Sequence, residues 1–204
     1  MPSNVSTNKK AFWMKIPGLA TLLEIGSDYV SEGSADYFGK IAPLRCWIAA
    51  LWKALTGSAM ATIAAVYIPK FFCTTAVAPG ELALTIVPSL LGFGIGVYAL
   101  IFGLSANIIR GLQEGHLKAA AADTSGKTNT SVLSLNSAFA FPLSMMAVTI
   151  FLSVLHQALP MVSTLANLTW FLVFFCIILT FQLVRTLFRL GQVIILRKFE
   201  HDDA

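Results

Sequence analysis

The residues of this chain able to ligate a metal, move a proton or attack a substrate are few and scattered. His116, His156 and His201 fall in three separate regions, and Cys46, Cys73 and Cys176 show no paired spacing. A zinc site needs closely spaced Cys and His pairs and a disulfide framework an even set, so neither is expected. His116 with Glu114 and Asp123 could form a small acid–base group. General catalysis needs such groups converging on a positioned substrate, and a loop of this composition does not supply that geometry. The run AADTSGKT from Ala121 to Thr128 matches a relaxed phosphate loop with alanine in place of the first glycine. That motif works only between a buried strand and a helix whose N-terminus receives phosphate. Here it follows an Ala-rich helical stretch and precedes an apolar one, so it reads as a flexible turn. No cofactor and no metal are expected, and the chain reads as a non-enzyme.

The elements that would have to position any chemistry are four long apolar stretches, roughly Leu44 to Ile68, Leu82 to Ile109, Leu133 to Leu159 and Leu165 to Val184. Each reaches the ~20 residues needed to cross a hydrocarbon core of ~30 Å. With 56% hydrophobic and 12% charged residues and a mean hydropathy of +0.75, little polar surface is left for a water-soluble globule. The expected organisation is a polar N-terminal segment over 1–43, one transmembrane domain over 44–184, and a helical extension and tail over 185–204. No secretory signal, myristoylation pattern or prenylation box is read at either end.

Lys and Arg close to span ends are retained on the cytoplasmic side. The segment before the first span carries Lys9, Lys10, Lys15, Lys40 and Arg45, and the next connection only Lys70; Arg110, Lys118 and Lys127 follow in the second. The third connection, about 160–164, has no charge, and Arg185, Arg189, Arg197 and Lys198 cluster at the end. This alternation places both termini in the cytoplasm, in the inner (plasma) membrane of a bacterium. The net charge of +4 is then a topology signal, and no direct nucleic-acid binding is expected.

Lipid is as apolar as a helix surface, so packing between spans is read from small residues that let backbones approach. Ala50, Ala54, Gly57, Ala61 and Ala64 form one such face; Gly92, Gly96, Ala99, Gly103 and Ala106 a second, opening on GxxxG; Ser137, Ala140, Ser144 and Ala147 a third. The fourth span has large side chains instead, including Trp170, Phe171, Phe174, Phe175 and Phe181, and is expected to face lipid or fill a groove. Such faces join helices within one chain or between copies, and a homo-oligomer is expected. Pro88 and Pro142 can kink their spans. Asn136 and Gln182 are the clearest amides, both towards the cytoplasmic ends.

Lys53 is the one charge near the interior of a span. With Trp47 and Trp52 beside it, it can snorkel to the interface while the indoles occupy the headgroup belt. Lys53, Trp47, Trp52, Arg110, Arg185, Arg189, Arg197 and Lys198 are accordingly read as interface anchors, with Arg185 and Arg189 one turn apart and suited to lipid phosphates. Within 17–43, Leu19, Leu22, Leu23, Ile25, Tyr29, Val30, Tyr37 and Phe38 could form the apolar face of an amphipathic helix, interrupted by Gly18, Gly26, Gly33 and Gly39. Glu24, Asp28, Glu32 and Asp36 recur every four residues, where like charges repel by ~0.2–0.5 kcal/mol per pair. An acidic stripe suits anionic lipid poorly and would instead suit docking by a cytoplasmic protein.

The fold expected is therefore an all-α integral membrane protein of four transmembrane helices, with an amphipathic N-terminal segment and a cytoplasmic extension of the fourth helix. The function expected is a non-enzymatic oligomeric subunit that senses membrane state or anchors a cytoplasmic effector. A homo-oligomeric channel or pore is the first alternative and a small transporter the second. In length, span count and cytoplasmic termini the chain resembles the small four-span membrane subunits of bacterial anti-phage systems of the Kiwa type. That resemblance implies a membrane sensor assembled into oligomers with a cytoplasmic DNA-binding partner. Architecture alone transfers no residue role.

Overall fold

The computed structural model describes residues 18–31, 41–71, 77–103 and 132–202. Among these every regular element is a helix: α1 (Leu19–Val30), α2 (Leu44–Phe71), α3 (Pro79–Phe102), α4 (Val132–Ala158) and α5 (Ser163–Asp202). The stretches Leu44–Pro69, Pro79–Leu100, Leu135–Ala158 and Ser163–Gln192 are each long and apolar enough to cross a bilayer. Their outward side chains agree: Leu44, Ile48, Met60, Ile63, Leu100, Phe151, Phe181 and Phe188 are all more than half exposed. That surface suits hydrocarbon and would be costly in water.

Local chemistry sets the ends. Gly18 precedes α1 at φ 90°, a left-handed backbone that glycine adopts without strain, and its carbonyl accepts the Leu22 N–H at 3.0 Å. Pro79 opens α3, where a missing N–H costs nothing, and Glu81 follows in the first turn. A four-residue connection, 159–162, turns α4 into α5, which forces the two helices antiparallel. Inside the spans, hydroxyls bond back to the carbonyl one turn earlier, as Ser58 does to Ala54 at 2.6 Å and Ser153 to Thr149 at 2.6 Å. Lipid offers such groups no partner, so the helix supplies it.

The helices alternate in direction. Tyr98 near the end of α3 bonds Asn136 near the start of α4, whereas Gly80 at the start of α3 lies against His156 near the end of α4. The fourth span takes the groove rather than the lipid-facing position: Leu172, Val173, Phe175, Cys176, Leu179 and Leu183 of α5 are buried against the other helices. Its large residues enter space left by small ones on α2, where Ala54 and Ser58 are fully buried and the missing side chain of Gly57 makes room for Ile178. The helix α5 continues through 40 residues, about 60 Å at the usual rise and twice a hydrocarbon core.

Candidate functional site

Among the described residues, polar contacts from several elements converge on α1. This helix is too short to span, yet Val30 belongs to the same buried cluster as Leu51 and Ala54 of α2, Phe141 of α4, and Phe175 and Leu179 of α5. Tyr29 stacks on Phe141, ring centroids 4.5 Å apart, and its hydroxyl donates to Gln182 Oε1 at 2.8 Å. Ser27 is buried and its Oγ accepts the Ala42 N–H at 2.7 Å, clasping the segment that enters α2. The Trp47 indole N–H donates to the Ala42 carbonyl at 3.2 Å, and its ring lies so close to Gly26 that a Cβ there would overlap it. Trp47 is therefore engaged inward by α1, while Trp52 faces outward.

The candidate docking residues separate on α1. Glu24 is exposed and Asp28 half-buried, with the Asp28 carboxyl held above its ordinary range first by burial and then by the nearby Glu24 charge. Glu32 and Asp36 lie outside the described residues. One end of the bundle thus carries an acidic outer edge on a helix whose inner edge is wedged among three spans.

The small-residue faces have unequal fates. On α2, Ala54 is buried, Gly57, Ala61 and Ala64 are half-buried, and Ala50 is exposed. On α4, Ser137 is buried, Ala140 and Ser144 are half-buried, and Ala147 is exposed. Gly92, Gly96 and Ala99 on α3 and Gly103 just past its end are all exposed, and an added Cβ at Gly92 or Gly96 would meet nothing within 4 Å. Ala106 lies outside the described residues. The side of α3 that packs is another one, Gly80, Ala83, Val87, Leu90 and Gly94, with Gly94 against Leu143. It too has 3,4,3,4 spacing, and Gly92–Gly96 is the more conspicuous pattern only because it holds a GxxxG pair.

A polar line runs through the buried side of α4, with Thr149, Ser153 and His156. Thr149 Oγ1 lies 3.1 Å from Cys176 Sγ, linking α4 to α5. His156 Nδ1 is buried with no hydrogen-bond partner among the described residues, and a Cβ on Gly80 would come within 2.8 Å of it. No group of three or more metal-ligating side chains occurs among the described residues. Cys46 and Cys176 are free thiols; Cys73, His116 and the AADTSGKT run lie outside the described residues, and nothing is described of the His201 side chain.

The interface cations face outward. Arg45, Lys53, Arg185 and Arg189 are exposed, and the Lys53 ammonium lies 5.9 Å from the Trp52 ring centroid. Arg110 is outside the described residues; Arg197 and Lys198 fall on α5, their side chains outside the described set. No family model, curated protein or solved structure matches the chain.

Proposed function

We propose that this chain is a non-enzymatic, self-associating membrane subunit that senses membrane state or anchors a soluble effector through α1 and its flanks. The observation that carries the reading is the division of labour among the small-residue faces. Those of α2 and α4 are largely used within the chain, and Gly92 and Gly96 of α3 are left facing outward. Close backbone approach at such a face supplies dispersion contacts that lipid tails match poorly, which favours a second protein helix there. The acidic outer edge of α1 supports the effector half of the proposal: a basic surface could bind Glu24 and pull on a helix clasped to α2, α4 and α5.

Both termini belong in the cytoplasm of a bacterial inner membrane on this reading, and anti-phage defence with a DNA-binding partner is the setting that the architectural resemblance supports. The outward glycine face also favours a second reading, a homo-oligomeric pore with α3 lining the opening. Purification of the tagged chain from its own host in mild detergent, followed by mass spectrometry of the intact complex, separates the two. A stoichiometric soluble partner is the expected result. A homo-oligomer alone, conducting in planar bilayers, would replace the subunit reading with the pore, and a monomer alone would overturn both.

A further inference from the structure

A built cationic seam runs along the outer edge of the α2–α5 pair. The contact between Gly57 and Ile178, where an added Cβ would come 3.1 Å from Ile178 Cδ1, fixes the register of these antiparallel helices. Lys53 is one turn before Gly57 on α2. Arg185 and Arg189 stand seven and eleven residues after Ile178 on α5, spacings that return to the Ile178 side of the helix within about 20°. Because the helices run in opposite directions, all three lie to the same end of the contact, at about 6, 10 and 16 Å along the axis. The inner edge of the pair is occupied by Leu51, Ala54 and Leu179 among the packed helices, so the cations share the opposite, outward edge.

All three are exposed, and among the described residues none has a carboxylate partner. Uncompensated positive charge converging from two helices calls for an anion. The surroundings identify its carrier. Arg185 is about 33 Å from the start of α5, the depth of a headgroup layer, and the outward side of the pair between that level and the membrane centre is apolar. Met60 is 72% exposed and Phe181 70% exposed, with Gly57 and Ile178 between the helices. Free phosphate would have no use for that apolar track, whereas an acyl chain would cover it.

We infer that this seam binds one anionic lipid, its phosphate held by Lys53, Arg185 and Arg189 and its acyl chain laid along the outer α2–α5 groove. The site is complete within one chain and does not depend on self-association. It differs from cations anchoring separately at the interface, because three side chains from two different helices hold the same phosphate. The test is native mass spectrometry of the full chain released from detergent micelles containing equal dioleoyl phosphatidylglycerol and dioleoyl phosphatidylcholine. Wild type retains the anionic lipid, and Lys53→Gln and Arg185→Gln each lower its retention by about tenfold, near 1.4 kcal/mol. Once the headgroup has lost one cation the second matters less, so the double variant loses far less than a hundredfold. Arg45→Gln, about 120° round α2 from Gly57, leaves retention unchanged. Single variants within twofold of wild type would overturn the site, as would losses that multiply fully in the double variant, the signature of diffuse attraction. Displacement of the lipid by millimolar inorganic phosphate would show that the acyl track contributes nothing and would overturn the lipid assignment. Gel filtration confirms that each exposed-residue variant keeps its fold.

Discussion

At the scale of single residues, the packing of α1 can be loosened from two directions. Asp28 is held above its ordinary pKa of 3.8 when α1 is packed, so the neutral carboxyl favours docking. The sign follows from linkage: the contribution is full below the ordinary value and is lost as pH rises through the raised one. Lowering the pH of the detergent-solubilised protein from 7 to about 4 is expected to slow proteolysis in the 31–41 connection, and Asp28→Asn is expected to slow it at both pH values. A protection that instead weakens on acidification would refute this. Gly26 works from the other side of the helix. A leucine there must displace the Trp47 ring, which rests against both Gly26 and the Ala42 carbonyl, and overpacking of this kind costs about 1–3 kcal/mol. With Trp13, Trp52 and Trp170 replaced by phenylalanine, Gly26→Leu should shift Trp47 emission to the red as the ring meets water or headgroups. An unchanged spectrum would mean that α1 accommodates the side chain without moving. Neither Gly26 nor the inward Trp47 was legible in the sequence, because a tryptophan near a span end has the same signature whether it anchors to headgroups or packs beneath a helix.

At the scale of elements, α3 offers a comparison within one helix. Gly80 lies where an added Cβ meets His156 Nδ1 at 2.8 Å and the Ser153 carbonyl at 3.2 Å, a backbone atom that cannot swing aside; at Gly92 the added atom meets nothing. Gly80→Val should therefore lower the thermal midpoint in detergent by the equivalent of about 1–3 kcal/mol, while Gly92→Ile leaves that midpoint alone and reduces energy transfer between labelled copies in vesicles. If Gly92→Ile leaves transfer at the wild-type level, the outward glycines meet lipid only and the self-associating reading fails. The four long apolar helices were legible in their hydropathy, since runs of Leu, Ile and Phe of this length suit a bilayer. The direction each span faces was not, because in α3 two faces with alternating three- and four-residue spacing carry glycine and alanine on different sides, and only the one that also holds Val87 and Leu90 packs. The fourth span shows the converse: a sequence without a small-residue stripe still packs into the bundle as deeply as α4, its bulk complementing Gly57, Ala54 and Ser58 on α2.

At the scale of the whole molecule, the alternating helix directions restrict the topology to two mirror choices. The Tyr29–Gln182 and Tyr98–Asn136 bonds both join α1 or the end of α3 to the partner helices at the end where α2 and α4 begin and α5 leaves the bundle. The α2–α3 and α4–α5 connections must then share the opposite side. Arg45, Arg185 and Arg189 lie at the first end, and on the proposed orientation, in which Lys and Arg are retained inside, that end is the cytoplasmic one. Val77 and Met161, exposed at 57% and 95%, mark the two connections of the other side. In a background with Cys46, Cys73 and Cys176 replaced by alanine, single cysteines at positions 77 and 161 should react with a membrane-impermeant maleimide in intact spheroplasts, and one at position 128 only after lysis. Labelling at 77 and 161 confined to lysed cells would invert the orientation. The acidic edge of α1 and the Lys53–Arg185–Arg189 seam would then face outward, where no cytoplasmic effector could reach them. Because four crossings put α1 and the far end of α5 on the same side, this measurement decides at once where α1 can recruit a partner and which leaflet supplies the lipid phosphate.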